Sequence, residues 1–476
     1  MRNVLYYTGI SLFILGILLS VPILAAVALG EPIMPFAYAA AISMVVGFTL
    51  MKSGERENLS MARAFLFATV IFLLMPLIGS IPYLLTPSFS GTFLDAYFES
   101  MSGFTTTGLS VITNLESLPM SLLVWRSFTQ WIGGIGIVVL FLTILFQPGI
   151  SSYYLSKAEG KDQRIWPSIV KTSREQFLIY LFYTVAGAGI FVLIGMPLFD
   201  SFTHIFATVS TGGFSSHALS IEAIESVGNP ILVDSFVILF MIIGSTSFLL
   251  HSKLLRGGYK QYAKSPEVKL FYLIIAMSTL VLAYDQYLLN DPHFFKHAIF
   301  QSVSALTTTG FISTDLTTMS NLGKYIIIIL MVLGGSSGST SGGIKMIRVL
   351  IFLKSLSYAI KKAVLPPETV LPFKLGGEKF EAPEVLMLVG YSLLYVILLG
   401  FGTMIILLDG FTFLEAVFES TSALGTVGMS LGITAKLGTA SKIVIILEML
   451  LGRLEILPIL GTLMVLTKFR MMRFAK

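Results

Sequence analysis

No cysteine occurs anywhere in the chain, which removes disulfides, thiolate metal sites and cysteine nucleophiles at once. Charge is scarce as well: Asp, Glu, Lys and Arg make up 12% of the 476 residues, about half of what a soluble domain carries. Long polar stretches are missing, so no separate water-exposed domain can be cut from the sequence. What fills the chain is apolar. Hydrophobic residues reach 55% and mean hydropathy is +0.86, and apolar runs of about 20 residues recur, each long enough to cross about 30 Å of hydrocarbon. Water cannot be the solvent for most of this surface. The first run, Val4 to Leu29, is too long for a signal-peptide core and lacks a convincing cleavage site, so it reads as a retained helix. The formal charge of +5 is not gathered in a way that suits nucleic acid.

The pattern predicts an all-α integral membrane protein. Helices at about 4–29 and 33–51 precede four copies of a larger unit: a long apolar helix, a short amphipathic segment, a Thr/Gly-rich loop and a second long helix. The long helices fall near 63–86 and 121–147, 176–199 and 230–252, 267–290 and 322–352, and 385–409 and 440–467. The chain accordingly divides into an N-terminal helix pair (1–56) and four units (57–160, 161–262, 263–370 and 371–476), giving ten spans with both termini on one side. That side is predicted to be cytoplasmic, because 25 of the 31 Lys and Arg residues fall in the segments facing it. The opposite loops carry Asp95, Glu99, Glu116, Asp200, Glu222, Glu225, Asp291, Asp315, Asp409, Glu415 and Glu419. These acids form either an acidic mouth that concentrates cations or ordinary solvated loops.

The repeat carries the chemistry. It reads Phe98-Glu-Ser-Met-Ser-Gly-Phe-Thr-Thr-Thr-Gly-Leu109, Phe206-Ala-Thr-Val-Ser-Thr-Gly-Gly-Phe214, Phe300-Gln-Ser-Val-Ser-Ala-Leu-Thr-Thr-Thr-Gly-Phe311 and Phe418-Glu-Ser-Thr-Ser-Ala-Leu-Gly-Thr-Val-Gly-Met429. Aligned without gaps on the last glycine, the copies share Thr-x-Gly at Thr106/Gly108, Thr211/Gly213, Thr308/Gly310 and Thr426/Gly428. One Thr-x-Gly is usually a turn, but four at equivalent places in four membrane units are not chance.

A desolvated potassium ion must exchange its water for other oxygens without meeting a fixed charge. Backbone carbonyls supply them when successive peptides point at one axis. That backbone is irregular, needs φ values that glycine tolerates, and survives at membrane depth only where protein or water surrounds it. The expected filter is Thr105, Thr106, Thr107, Gly108; Ser210, Thr211, Gly212, Gly213; Thr307, Thr308, Thr309, Gly310; and Gly425, Thr426, Val427, Gly428. The short segments before the loops, about 92–103, 200–209, 293–305 and 412–423, are too short to span. As half-helices they would aim the negative ends of their dipoles inward, and acids such as Asp95, Glu99, Glu415 and Glu419 would support their starts or the outer mouth.

With these motifs the chain resembles the Trk/Ktr family of potassium-uptake pore subunits along essentially its whole length. Further support comes from Gln130-Trp-Ile-Gly-Gly-Ile-Gly-Ile137, Gly334-Gly-Ser-Ser-Gly-Ser-Thr-Ser-Gly-Gly-Ile-Lys345 and Leu451-Gly-Arg-Leu-Glu-Ile-Leu-Pro458. The extra N-terminal helix pair is similar to the Trk branch. The resemblance implies potassium as the transported ion, held at the filter, and Gly108 agrees, since serine there goes with sodium transport in related proteins. It also implies a homodimer in the bacterial inner membrane and cytosolic nucleotide-binding regulatory subunits of the TrkA type. The nucleotide belongs to that partner, and no cofactor is expected on this chain.

Residues Gly334, Gly335, Ser336, Ser337, Gly338, Ser339, Thr340, Ser341, Gly342 and Gly343 interrupt an Ile/Leu-rich span. Such a run should break the helix, as a movable loop obstructing the pore or as a tightly packed small-residue helix. The family resemblance implies the gating loop and places Arg453 in the pore beneath the filter as an electrostatic barrier. A structural ion pair of Arg453 with Glu448 or Glu455 is the alternative. Lys345 and Arg348 border the inner mouth or serve as positive-inside anchors. Gly244-Ser-Thr-Ser247 either bends its helix or packs it.

His293 and His297 have metal-ligand spacing but no third ligand. Gly133, Gly134 and Gly136 lack the βαβ context of a dinucleotide site. A coupled carrier also has repeats and broken helices, but the repeats here share one topology and carry a pore-loop motif. A membrane enzyme would need converging acid, base or metal ligands, and the sequence presents none.

Overall fold

The computed structural model describes residues 1–57, 59–136, 169–225, 229–366, 369, 371–375, 378–380, 382–456 and 458–462. The end of the helix expected at 121–147, the basic stretch before 169 and the C-terminal residues from 463 lie outside them.

The fold is all-helical apart from one two-residue hairpin, Lys374–Leu375 with Glu378–Lys379. The N-terminal helix runs from Arg2–Leu18 into Ser20–Leu29, with a break where Pro22 withholds its N–H from the ladder. It packs along Met34–Ser53. The two backbones come close at Gly9 and Gly47, where an added methyl on Gly9 would sit 2.6 Å from the Gly47 carbonyl oxygen. Small residues permit such close packing in lipid.

Each unit then has a long first helix, a half-helix and a second helix. The first helices are Met61–Gly79 (continued by Ile81–Leu84), Ile169–Leu193, Pro266–Leu288 and Ala382–Leu407. Large apolar side chains such as Leu193, Leu386 and Leu408 stand on the outer surface, as a lipid-facing helix requires. The half-helices are Phe93–Phe104, Leu198–Val209, Phe294–Leu306 and Phe413–Leu424. At 12 or 13 residues they are about 18 Å long, half the membrane core. In the first and fourth units the start is fixed by reciprocal capping, Thr92 with Asp95 and Thr412 with Glu415.

The helix break expected at 334–343 is present, and the second helices of the other units are interrupted as well. Among the described residues, six helices are long and apolar enough to cross a membrane, or seven if Pro230–Ser245 and Phe248–Leu255 count as one span bent by 109°. The first unit's second helix, Met120–Ile135, stops at Gly136, whose φ of 90° is left-handed. The third, Asn321–Val332, resumes only at Met346–Val364, and the fourth, Thr439–Arg453, is interrupted at Glu455 and Ile456, both with positive φ, before helix resumes at 458–462. Gly, Ser and Thr account for the second and third breaks. Gly244-Ser-Thr-Ser247 is therefore a bend.

The units are arranged in a ring. The second helix of the first unit packs on the half-helix of the second, and the same relation runs from second to third and from third to fourth. It closes with Thr439–Arg453 against Phe93–Phe104.

Candidate functional site

Each half-helix ends four residues before the closing glycine, and every loop then takes the same path. Thr106, Thr211, Thr308 and Thr426 have φ between 50° and 57°, and Gly108, Gly213, Gly310 and Gly428 have φ between 75° and 96°. A β-branched residue at positive φ is a genuine outlier, so four in one register mark a conformation imposed by the surroundings. The N–H groups fold back on the half-helix: Thr107 donates to Ser102 O, Gly212 to Ala207 O, Thr309 to Ser304 O and Val427 to Ser422 O, all at 2.8–3.0 Å. In the first and fourth units the closing glycine N–H donates to a serine hydroxyl, Ser102 or Ser422, at 3.0 Å.

The four loops touch one another in order. A methyl on Gly108 would overlap the Gly212 carbonyl oxygen, one on Gly213 that of Thr309, one on Gly310 that of Val427, and one on Gly428 that of Thr107. The four expected filter loops thus come together in a closed ring, with a carbonyl of each unit against a glycine of its neighbour. Thr105, Ser210, Thr307 and Gly425 stand at the half-helix ends.

Behind the loops lies a layer that reading the sequence alone did not assign. Nine residues before the closing glycines stand Glu99, His204, Gln301 and Glu419, all fully buried. Glu99 accepts from Ser110 Oγ and from the Val111 N–H, both at 2.6 Å. His204 Nε2 is 2.9 Å from Ser215 Oγ, and Glu419 accepts from Ser430 Oγ at 2.8 Å and from Thr434. In the third unit Ile312 replaces that serine, and neither polar atom of the Gln301 side chain has a hydrogen-bond partner among the described residues. Glu99 also pairs with Arg126 at 3.3 Å, and Arg126 donates to the Ser215 carbonyl at 3.0 Å and lies 4.0 Å over the Phe214 ring. The pair thus ties the first unit to the second. Removing one partner strands a buried charge at a cost of about 3–5 kcal/mol. Arg126→Leu is accordingly expected to lower the melting temperature of the purified protein far more than the surface change Arg2→Leu; equal melting points would contradict this role.

Of the expected outer acids, none among the described residues reaches the space directly outside the ring. The cavity there, about 300 Å³, is lined by residues including Gly108, Gly213, Gly310, Gly428, Arg126 and His217, and no carboxylate lines it among the described residues. The acids serve as local anchors: Asp95 pairs with Lys442, Asp291 with His297, and Asp200 with His217. The hydrogen bond to Asp200 raises the His217 imidazole above its usual pKa. Glu99 and Glu419 belong behind the loops, not to helix starts or the mouth. No cluster of metal-ligating residues occurs among the described residues, His293 and His297 included.

On the opposite side of the ring, residues 333–345 form a loop pinned at its stem by Gly334 N–H to Ile344 O and Ile344 N–H to Val332 O, both 2.9 Å. It lies directly against the Thr-x-Gly threonines. Thr211 Oγ1 donates to Thr340 Oγ1 at 3.2 Å, and the Gly342 N–H donates to Thr308 Oγ1 at 2.8 Å. A methyl on Gly342 would overlap Thr426 Oγ1. Ser336 and Thr340 N–H groups donate to the broken second helix at Ser245 and Gly244, and Ser337 N–H to Glu267. The Gly335 N–H donates to Ser341 Oγ, Ser339 Oγ donates to Ser336 O, and Gly338 O accepts from the Phe248 N–H. Gly343 turns the chain at φ 64°, and Lys345 donates back to Ser341 O.

Arg453 donates to Thr340 O at 2.7 Å and to the carbonyls of Gly133 and Gly134. Glu455 pairs with Arg348, and Glu448 accepts from Ser420, so the expected alternative of an Arg453 ion pair to either acid does not describe these contacts. The space between the loop, Gly136, Lys345, Gly452 and Arg453 is about 30 Å³, room for about two waters.

Four half-helix-and-loop units closed about one axis, with two further helices before them, define an integral membrane protein organised around a single central pore. The chain belongs to the TrkH family of cation transport proteins, which matches residues 33–469. It is 32% identical over 462 residues to an uncharacterized cation transporter of Methanocaldococcus jannaschii, covering 96% of this chain and 94% of that protein. It is 30% identical over 434 residues to the Trk system potassium uptake protein TrkH of Escherichia coli K12, covering 88% and 89% respectively. The crystal structure of the potassium transporter TrkH from Vibrio parahaemolyticus superposes with a TM-score of 0.84 at 28% identity, covering 96% of this chain and 97% of that one.

Proposed function

We propose that this chain is the pore subunit of a potassium-uptake system and conducts potassium in a channel-like manner across the bacterial cytoplasmic membrane. The observation that carries the reading is the ring of four Thr-x-Gly loops, each closing glycine set against a carbonyl of the next unit. Loop N–H groups bonded back to the half-helices leave the carbonyls to replace the water of a potassium ion. Thr106 and Thr426 hydroxyls, buried and without a hydrogen-bond partner among the described residues, add oxygens at the inner end. The four half-helices end at the loops, so their negative dipole ends favour a cation there. The potassium-uptake relatives support the choice of ion.

In this reading the units are 57–160, 161–262, 263–370 and 371–476, after the N-terminal pair 1–56. The loop Gly334–Gly343 is a gate in its closed position, and Lys345 and Arg453 place positive charge in the path of a cation. Both termini are cytoplasmic. The chain pairs as a homodimer and takes its control from a cytosolic nucleotide-binding regulatory subunit, which supplies the nucleotide. The test is flux of potassium, rubidium, sodium and lithium into proteoliposomes. Potassium and rubidium are expected to pass and sodium and lithium to be held back, with Gly108→Ser admitting sodium. Equal passage of sodium and potassium through the unaltered protein would contradict the reading.

A further inference from the structure

The second filter loop is built differently from the others. In the first and fourth units a serine six residues before the closing glycine accepts from that glycine's N–H, and in the third Ser304 Oγ donates to Phe311 O at 2.7 Å. The second unit has Ala207 at this position and so has no such hydroxyl. Its loop is held from outside instead. Gln130, fully buried on the second helix of the first unit, donates from Nε2 to the Gly212 carbonyl at 2.6 Å and accepts from the Phe214 N–H at Oε1 at 3.0 Å. One side-chain amide therefore brackets Gly213. The pairing is reciprocal, a donor to a carbonyl and an acceptor from an N–H, which also fixes which way the amide faces. One helical turn earlier, Arg126 holds Ser215 O of the same segment.

Resting on the filter reading above, we infer that Gln130 is a positioning residue for ion selectivity: it stands in for the serine missing at Ala207 and sets the place of the Gly212 carbonyl in the ring. Two features make this more than packing. The Gly212 oxygen is one of the four carbonyls against which a neighbouring glycine packs, here Gly108. It is also the member of that set, among the described residues, that accepts a side-chain hydrogen bond. A shift of this loop changes the distances that discriminate potassium from sodium, while three loops remain anchored by their own half-helices. The missing hydroxyl and the outside amide are complementary, so restoring one should offset loss of the other.

The experiment measures the potassium-to-sodium permeability ratio of the full chain in proteoliposomes for the unaltered protein, Gln130→Met, Gln130→Met with Ala207→Ser, and Gly108→Ser. Methionine keeps length and shape but offers neither hydrogen bond. The ratio is expected to fall about fivefold in Gln130→Met, as loss of one or two loop hydrogen bonds allows, and to recover most of that loss when Ala207→Ser is added. A role in packing alone would lower the melting temperature and leave the ratio unmoved. If Gln130→Met does not assemble, Gln130→Glu at alkaline pH replaces it. That variant keeps the acceptor for Phe214 but sets an oxygen against Gly212 O, and its ratio must fall. An unchanged ratio in the assembled Gln130 variant, or a fall that Ala207→Ser does not repair, overturns the inference. Unaltered protein that fails to discriminate overturns the filter reading itself, whereas discrimination that Gly108→Ser abolishes and Gln130→Met spares overturns the Gln130 role alone.

Discussion

Gly310→Ala is expected to reduce potassium flux at least about tenfold while the protein still assembles, because an L-residue at left-handed φ costs about 1–2 kcal/mol and the strain falls on the ring. Gly310 has φ 85°, and its added methyl would overlap the backbone oxygen of Val427 in the neighbouring unit. A backbone atom cannot swing aside as a side chain does, so the ring must open or the carbonyl must turn. Gly410 supplies the control. Its φ is 88°, but nothing lies within 4 Å of its missing methyl. Gly410→Ala therefore carries the same backbone strain without the collision, and should lose a little stability and keep its flux. Tracer uptake by both variants at matched protein density decides the matter, and equal flux from the two would show that the glycine-to-carbonyl contact is dispensable.

The second large effect is expected from removing the loop on the inner side. Deleting Ser336 to Ser341 should raise potassium flux by about tenfold or more and make it insensitive to the regulatory partner. The deletion can close without dragging on the helices, since the stem is held by the Gly334–Ile344 and Ile344–Val332 hydrogen bonds and Gly334 already packs on Gly342. It removes the Thr340 contact with Thr211 and one of the three carbonyls to which Arg453 donates. Arg453→Ala should raise flux by a smaller amount. It cuts charge-assisted hydrogen bonds worth about 1.5–3 kcal/mol each, but leaves Gly342 against Thr308 and Thr426. Unchanged flux and regulation in the deletion would mean that the loop is a structural plug and not a gate.

Much of this architecture was legible because its signals are local. The half-helices fall within two residues of the expected segments, since capping threonines start two of them and the Thr-x-Gly turns stop all four. The glycine-rich break at 334–343 was legible for the same reason. The layer behind the loops was not, because it depends on partners distant in sequence. Glu99 looks like one more mouth acid until Ser110 and Arg126 fold back on it. The second unit is the instructive case. Its motif catches the eye at Phe206, but the gap-free register puts Thr203 opposite Phe98 and His204 opposite Glu99, so the equivalence of His204 and its Ser215 contact is hidden. Gln130 was visible only as part of a family motif, since its partners lie more than eighty residues away. Apolar runs likewise did not reveal the breaks at Gly136 and after Arg453. The break after Arg453 involves Glu455 and Ile456 at positive φ, a conformation that neither residue type announces.

The most direct measurement is the position of the ion. Crystals or frozen grids prepared with rubidium or thallium in place of potassium would locate bound cations by their scattering. Density on the common axis, within coordination distance of the carbonyls of Thr107, Gly212, Thr309 and Val427, is the predicted result. Cations found elsewhere in the molecule, with the ring filled by side chains or excluded from solvent, would contradict it.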